Sequence, residues 1–460
     1  VLAQREWRLT SLYLLGVTAP LEVYRTDVGG LDVSLFRLSL LIMLFVALSR
    51  RSGIRELFSN FRNPLAAIYT LFLAVLLLAV LAHPINVFLG GREAAQVGIG
   101  VATIILIVQV ACGETIERVC QAIAVGAVLP ILAGAWQGIS PKLGGHGALP
   151  LLDHLPAAPG LEVTRQALAA FGPIGTRAKG TFGDPNHFGI YLLFVISLAA
   201  ALALRAGFRG DRRRQVSFGA LTVAAVATLV ATFSRSAWMG AAVVGVIMIV
   251  GLVDAWRVGP LRRPRTSVAV FLAVAAVGLF AAVAPSVAER IAPGSRINAL
   301  SDQTHGHTVR FAFDQFVAHP LLGIGPGGIG IRLHQGSRTS GAHSSYLTFA
   351  AELGVPGLFV LLLAAAFTVR LLITLWRSLR GTPNGMLAVA LGAAYAGYLA
   401  GNVTYDVWLD DFHWLVLGSV AASAAKYAVG DDSRRLVAGL AAKLHPRFPA
   451  QSARLATRRR

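Results

Sequence analysis

Hydrophobic stretches alternate with short polar breaks along almost the whole chain, and the stretches are of bilayer-crossing length. The pattern predicts twelve helical spans, at about 9–24, 33–49, 64–82, 95–112, 118–137, 187–204, 216–232, 236–253, 266–284, 345–374, 386–404 and 412–428. The first is short and contains Pro20. Two breaks are long. One, about 138–186, holds a Gly/Pro-rich stretch and then Leu161 to Phe171, which reads as a short amphipathic helix stopped by Gly172-Pro173. The other, Pro285 to Ser345, has helical patterning: Val309, Ala312, Phe313, Phe316 and Val317 fall on one face, and Arg310 and Asp314 are spaced to pair on another. Pro320 ends that helix. Gly323, Gly325, Gly327, Gly328 and Gly330 follow it and read as turn-forming or close-packing glycines, because a phosphate-cradling run opens a helix after a strand. Long loops in compact proteins are commonly functional.

Composition agrees with a membrane protein. The chain is 55% hydrophobic and only 14% charged, well below a soluble domain of this size. The fold class expected is all-α, a polytopic transmembrane bundle of about twelve spans with a helical loop domain on its outer side. Four regions follow: 1–284 with nine spans and the loop at 138–186; 285–344, the loop domain; 345–428 with three spans; and 429–460, a basic cytoplasmic tail.

The net charge of +19 comes mostly from arginine. Arg50, Arg51, Arg55 and Arg62 lie in one loop, Arg205 to Arg214 in another, and Arg257, Arg262, Arg263 and Arg265 in a third. Arg377, Arg380 and the tail complete the series. With twelve spans these all fall on one side, as the positive-inside rule requires of cytoplasmic loops. Both termini are then cytoplasmic, both long loops face outward, and nucleic acid is not the expected partner. The tail, Arg434 to Arg460, can also touch anionic lipid headgroups. Nothing near Val1 shows a small-residue cleavage pattern, so no cleavable signal peptide is expected. Cys112 and Cys120 read as small buried residues.

The candidate chemistry lies outside the spans. His343, in Gly341-Ala342-His343-Ser344-Ser345-Tyr346, sits where the second long loop meets a span, and an imidazole there can accept a proton from a hydroxyl. Arg235, in Ser234-Arg235-Ser236-Ala237-Trp238, stands between two spans joined by almost no loop, where an arginine either snorkels or binds an anion. Arg177 and Lys179 head a segment running through Gly180, Gly183 and Asp184-Pro185-Asn186-His187 into a span. Asp184 or Asn186 suits a helix cap, and the cationic pair suits a diphosphate. Arg310 adds a further outer cation. His305 and His307 form a poor metal site without a third ligand. Asp406, Asp410 and Asp411 fit either a sugar or ion contact or a solvated charged turn, the latter favoured.

These segments, with His319-Pro320-Leu321-Leu322-Gly323 and Glu352-Leu353-Gly354-Val355-Pro356-Gly357, resemble the O-antigen ligase and polymerase superfamily of bacterial envelope enzymes. The motif resemblance covers about residues 170–365. It implies a glycosyltransferase of the bacterial inner membrane with a periplasmic active site, moving a glycan from undecaprenyl diphosphate onto an acceptor hydroxyl. No metal or cofactor is implied. Carried over by position, His343 activates the acceptor, and Arg177, Lys179, Arg235 and Arg310 hold the diphosphate. Asn186, Tyr346, Asp406 and Asp410 are candidate acceptor or sugar contacts. Members often have asparagine after this histidine, where Ser344 stands here. The acceptor would be lipid A-core for a ligase, the reading placed first, or a growing lipid-linked glycan for a polymerase. A lipid-linked sugar transporter or flippase is the alternative from another class. It is weakened by the absence of an internal repeat and by having only Arg37 and Arg370 well inside spans.

Overall fold

The structure is a computed structural model that describes residues 2–21, 25–28, 31–49, 53–61, 63–83, 87–111, 116–139, 177–258, 296–333, 341–408 and 410–444. The expected helix at Leu161–Phe171, the expected span at 266–284, Cys112 and the end of the basic tail lie outside them.

Helix α1 spans Leu2–Thr18 and ends before Pro20, earlier than the hydropathy pattern suggested. A two-stranded antiparallel hairpin follows, β1 Arg25–Val28 and β2 Leu31–Ser34, which the sequence reading did not anticipate. Next come α2 Leu35–Leu48, the short α3 Gly53–Asn60, α4 Pro64–Ala82 and α5 Val87–Ala111. The fifth expected span is interrupted at Ala127, giving α6 Ile116–Gly126 and α7 Val128–Ile139. Then follow α8 Pro185–Phe208, α9 Arg212–Ala231 and α10 Arg235–Val258. The second long break contains α11 Arg296–Ala318 and α12 Gly328–Arg332. The chain finishes with α13 Ser345–Leu379, α14 Gly385–Gly401 and α15 Asp411–Leu444. Among the described residues seven helices are long and apolar enough to cross a membrane, counting the α6–α7 stretch as one, and α2 and α14 are shorter apolar helices. The protein is an all-α polytopic membrane bundle.

Helix α8 is the hub, packed by α6, α9, α10 and α14. Small residues let these helices touch backbone to backbone. A Cβ on Gly240 of α10 would meet the Gly397 carbonyl of α14 at 2.7 Å, and one on Gly189 of α8 would meet Ala237 Cβ at 2.6 Å. Close approach of this kind drives packing where lipid removes the hydrophobic incentive. Aromatic side chains fill the space between α4, α14 and α15: Tyr69, Tyr395, Tyr398, Trp408, His413 and Trp414 interlock, with Tyr69 Oη 3.3 Å from His413 Nε2.

The two ends of the bundle differ in charge. At one end Arg205 pairs with Glu117 at 2.6 Å and donates to Asn384 Oδ1 at 2.8 Å, and Arg380 chelates Asp254. The clusters containing Arg205, Arg257 and Arg380 thus share one end, as the alternation of arginines required. The opposite end carries the starts of α8, α10 and α13 and the turn after α14.

Helices α11 and α12 pack over that second end. Thr308 and Ala312 of α11 are buried, and Ala312 joins Ile324, Ile329, Ala342 and Ala351 in a small separate core. The single apolar face expected of α11 is really two: Phe316 packs inward beside Ala312, while Val309, Phe313 and Val317 are exposed. The glycine run docks onto a break in α13. Gly354 adopts φ +68° there, which frees the Ala351 and Glu352 carbonyls to accept from Ile324 N at 2.9 Å and Gly325 N at 3.0 Å. Gly323, at φ +65°, would place a Cβ 2.3 Å from the Glu352 backbone, so the site admits only glycine. The Glu352 carboxylate accepts from Gly327 N at 3.0 Å and Ile329 N at 3.2 Å, capping α12. These glycines act by close packing, as expected.

Candidate active site

Three pieces of chain, far apart in sequence, meet at this end. The first is 177–187. Asp184 is the N-cap of α8: its side chain accepts from Asn186 N at 2.6 Å, and Pro185 occupies the first turn, where its missing N–H costs nothing. The loop before the cap is clamped by Gln137 of α7, and Thr181 Oγ1 donates to Pro20 O. Gln137 Oε1 accepts from Lys179 N at 2.7 Å and Gly180 N at 2.8 Å, and Gln137 Nε2 donates to Gly180 O at 2.9 Å. Ala178 N donates to Ala231 O at 2.9 Å, tying the loop to the end of α9.

The second piece is the turn between α9 and α10. Phe233 is left-handed, at φ +48°, and Ser234 Oγ caps α10 through Ala237 N at 3.3 Å. Arg235 is the first residue of α10 and half-buried. Arg177 joins the two pieces: its Nε donates to Thr232 O at 2.8 Å and its Nη2 to Asn186 Oδ1 at 3.1 Å. Two of the five guanidinium donors therefore fix the plane of the group beside the Arg235 turn.

The third piece is the start of α13 together with the turn after α14. His343 is left-handed at φ +53°, one of two such residues other than glycine among the described ones. It is held there by its neighbours: Ala342 N donates to Thr348 Oγ1 at 2.8 Å, and Ser345 N to Asn402 O at 3.0 Å. Ser345 Oγ lies between Asn402 Oδ1 and Asp406 Oδ1, the latter at 2.8 Å. Gly341 passes so close that a Cβ would meet Asp406 Oδ2 at 2.5 Å. Strained backbone of this kind persists only where surroundings over-determine it, and it concentrates at functional sites.

Tyr405 connects the third piece to the first. Its phenol lies close enough to Asn186 and Asp184 for both to act on it electrostatically. Its ring stands 6.0 Å from His343 and, edge-on, 5.7 Å from His187. A continuous path therefore runs from Arg177 through Asn186 and Tyr405 to His343. The His343 ring is also stacked on His305 of α11, centroids 3.9 Å apart and planes 16° from parallel.

Burial sets the electrostatics. It pulls the His343 imidazole below its usual range, opposed by Asp406 and Asp184, so the ring is a neutral acceptor at neutral pH. It lowers the Lys179 ammonium, opposed by Asp184 and aided by Arg177. It raises the Asp406 carboxyl, against hydrogen bonds from Ser345 and Thr348.

The expected residues are thus distributed unevenly. Arg177, Lys179, Asn186, Arg235 and His343 converge. Arg310 is exposed on α11, and no ion pair with Asp314 forms among the described residues. Tyr346 donates its hydroxyl to Leu399 O at 3.1 Å, a packing role between α13 and α14. The 402–411 segment corrects the expectation of a solvated charged turn. Asp410 and Asp411 are buried, and Asp410 Oδ2 lies 2.9 Å from His187 Nδ1. The segment folds inward because Trp408 and Val407 anchor it in the core, which hydropathy around three aspartates conceals. Gln137, Tyr405, Asn402 and Ser345 were not singled out from sequence; a polar residue near the end of an apolar stretch was the one available signal for Gln137. His307 is exposed, and no cluster among the described residues can hold a metal ion.

No curated protein matches the chain. Residues 220–362, from α9 into α13, match the family model described as O-antigen ligase, a stretch containing Arg235, Arg310 and His343. That match covers under a third of the chain and, with the converging motifs, supports its similarity to the O-antigen ligase and polymerase superfamily.

Proposed function

We propose that the protein transfers a glycan from undecaprenyl diphosphate to an acceptor hydroxyl, with lipid A-core as the acceptor of an O-antigen ligase, on the periplasmic face of the inner membrane. The observation that supports this most is the path from Arg177 through Asn186 and Tyr405 to His343, which sets fixed cations beside a neutral imidazole. In the reaction, His343 accepts the proton of the acceptor hydroxyl as its oxygen attacks the anomeric carbon. The bond from that carbon to the diphosphate oxygen breaks, and the electron pair leaves with undecaprenyl diphosphate. Arg177 and Arg235 stabilise the growing negative charge, with Lys179 beside them, because guanidinium groups offer forked donors to phosphate oxygens. Arg310, exposed on α11, meets the glycan-bearing diphosphate from above. A single displacement inverts the anomeric centre, as in glycosyltransferases of the GT-C class. The arginine-rich end of the bundle then faces the cytoplasm.

The test is incubation of purified protein with an undecaprenyl-diphosphate glycan and candidate acceptors. Release of undecaprenyl diphosphate that requires the acceptor is expected, and a lipid-core acceptor is expected to outperform a second lipid-linked glycan. Full transfer by His343→Ala refutes the assignment of the base.

A further inference from the structure

His305 belongs to none of the steps above, and the sequence offered it only as half of a poor metal pair with His307. The structure separates the two histidines. His307 is exposed, whereas His305 shares a helical face with Thr308 and Ala312, both buried, and that face turns α11 toward the start of α13. There its ring lies parallel on the His343 ring at 3.9 Å.

We propose that His305 is a positioning residue for His343: the two imidazoles form a stacked pair that carries one proton in total and orients the His343 ring. Two imidazoles at this separation titrate as a unit, because protonating one opposes protonating the other. Stacking also restrains the ring of a residue whose backbone is left-handed and whose neighbours include Tyr405 and Asp406. The charged and titratable groups around the pair are Asp184 and His187 at the start of α8, Arg177 ahead of them, and Tyr405, Asp406 and Asp410 after α14. Asp184 and Asp406 favour the charged form of His343; burial disfavours it. A proton residing on His305 adds to the second effect. His343 then stays neutral, and able to act as a base, at a pH where a solitary imidazole in the same place would be half protonated.

This rests on His343 acting as the base, but the pair can be tested without substrate. Diethyl pyrocarbonate modifies neutral imidazole, so its rate of reaction at His343, followed by peptide mass spectrometry between about pH 4.5 and about pH 8.5, reports the protonation midpoint. The full-length protein in lipid nanodiscs is compared with His305→Phe, which keeps the stack and removes the charge, and His305→Arg, which makes the charge permanent. The expected midpoint of His343 rises by about one pH unit in His305→Phe and falls in His305→Arg. The acid limb of the transfer rate moves with it. An unchanged midpoint in both variants overturns the pair and leaves the proposed function standing. A shifted midpoint in a protein whose His343→Ala form still transfers glycan keeps the pair and refutes the role of His343 as base. His305→Ala is expected to lower kcat further than His305→Phe, since it also loses the stack; equal effects overturn the orienting role.

Discussion

Replacing Gln137 by leucine, nearly its equal in volume, removes three hydrogen bonds at once from the loop that presents Arg177 and Lys179. The distances, 2.7, 2.8 and 2.9 Å, describe well-formed bonds, two accepted and one donated. At about 1 kcal/mol net for each, the loop loses about 3 kcal/mol of support. Gly180 is buried and left-handed at φ +59°, so its N–H and carbonyl have poor access to water as a substitute. If the whole loss falls on the transition state, kcat/KM drops about 100-fold; loosening of the loop in the free enzyme makes this an upper bound. The assay is steady-state release of undecaprenyl diphosphate, with thermal unfolding measured in the same detergent. Gln137→Glu keeps the double acceptor and loses the donor, so it should fall between the two. The midpoint of His343 modification should not move, because the clamp acts on the other half of the site. If Gln137→Leu keeps kcat/KM within about twofold, the loop holds its place without this clamp, which refutes a catalytic role for the three bonds.

Arg177→Lys keeps the charge but cannot reach Thr232 O and Asn186 Oδ1 together, so a fall in kcat/KM of at least about tenfold is expected, visible in a kinetic assay at fixed ionic strength. Gly341→Ala drives a Cβ to 2.5 Å from Asp406 Oδ2 and should cost about 1–3 kcal/mol in thermal unfolding; combining it with Asp406→Ala should recover part of the loss, since the two positions are in contact. For pH, the folded imidazole of His343 lies below its unfolded value. Below about pH 6.5 the unfolded chain therefore takes up the proton first, and both transfer and this group's contribution to stability decline as pH falls through the folded midpoint. Asp406→Asn removes a charge that favours the imidazolium, so it should move that midpoint lower still, measured by the pH–rate profile; an upward shift would contradict the electrostatic reading.

That the chain is built of apolar helices of bilayer-crossing length was legible because such a run is a local signal; the exact ends were less so, since α1 stops at Thr18. So was the role of Asp184-Pro185 as a helix start, confirmed by the 2.6 Å bond to Asn186 N. Ionisable side chains at the ends of spans are also local, which is why Arg177, Arg235 and His343 stood out before any geometry was known. The interruption at Ala127 and the hairpin at Arg25–Ser34 were not legible, because neither disturbs average hydropathy enough to register. Asp406 and Asp410 were misjudged for a related reason: three nearby carboxylates look solvated until Trp408 is seen drawing the turn into the core.

Sequence alone specified a helical membrane protein, the placing of the Arg205, Arg257 and Arg380 clusters at one end, and the residue types available for chemistry at the other. Those properties depend on composition and spacing within single segments. Which side chains touch is a different matter. The Gln137 clamp joins residues about forty positions apart, Tyr405 meets Asn186 across nearly half the length of the chain, and His305 meets His343 only because α11 lies buried face down on α13. Contacts of that kind arise from how glycine-lined helices pack against one another, and no pattern within one segment encodes them.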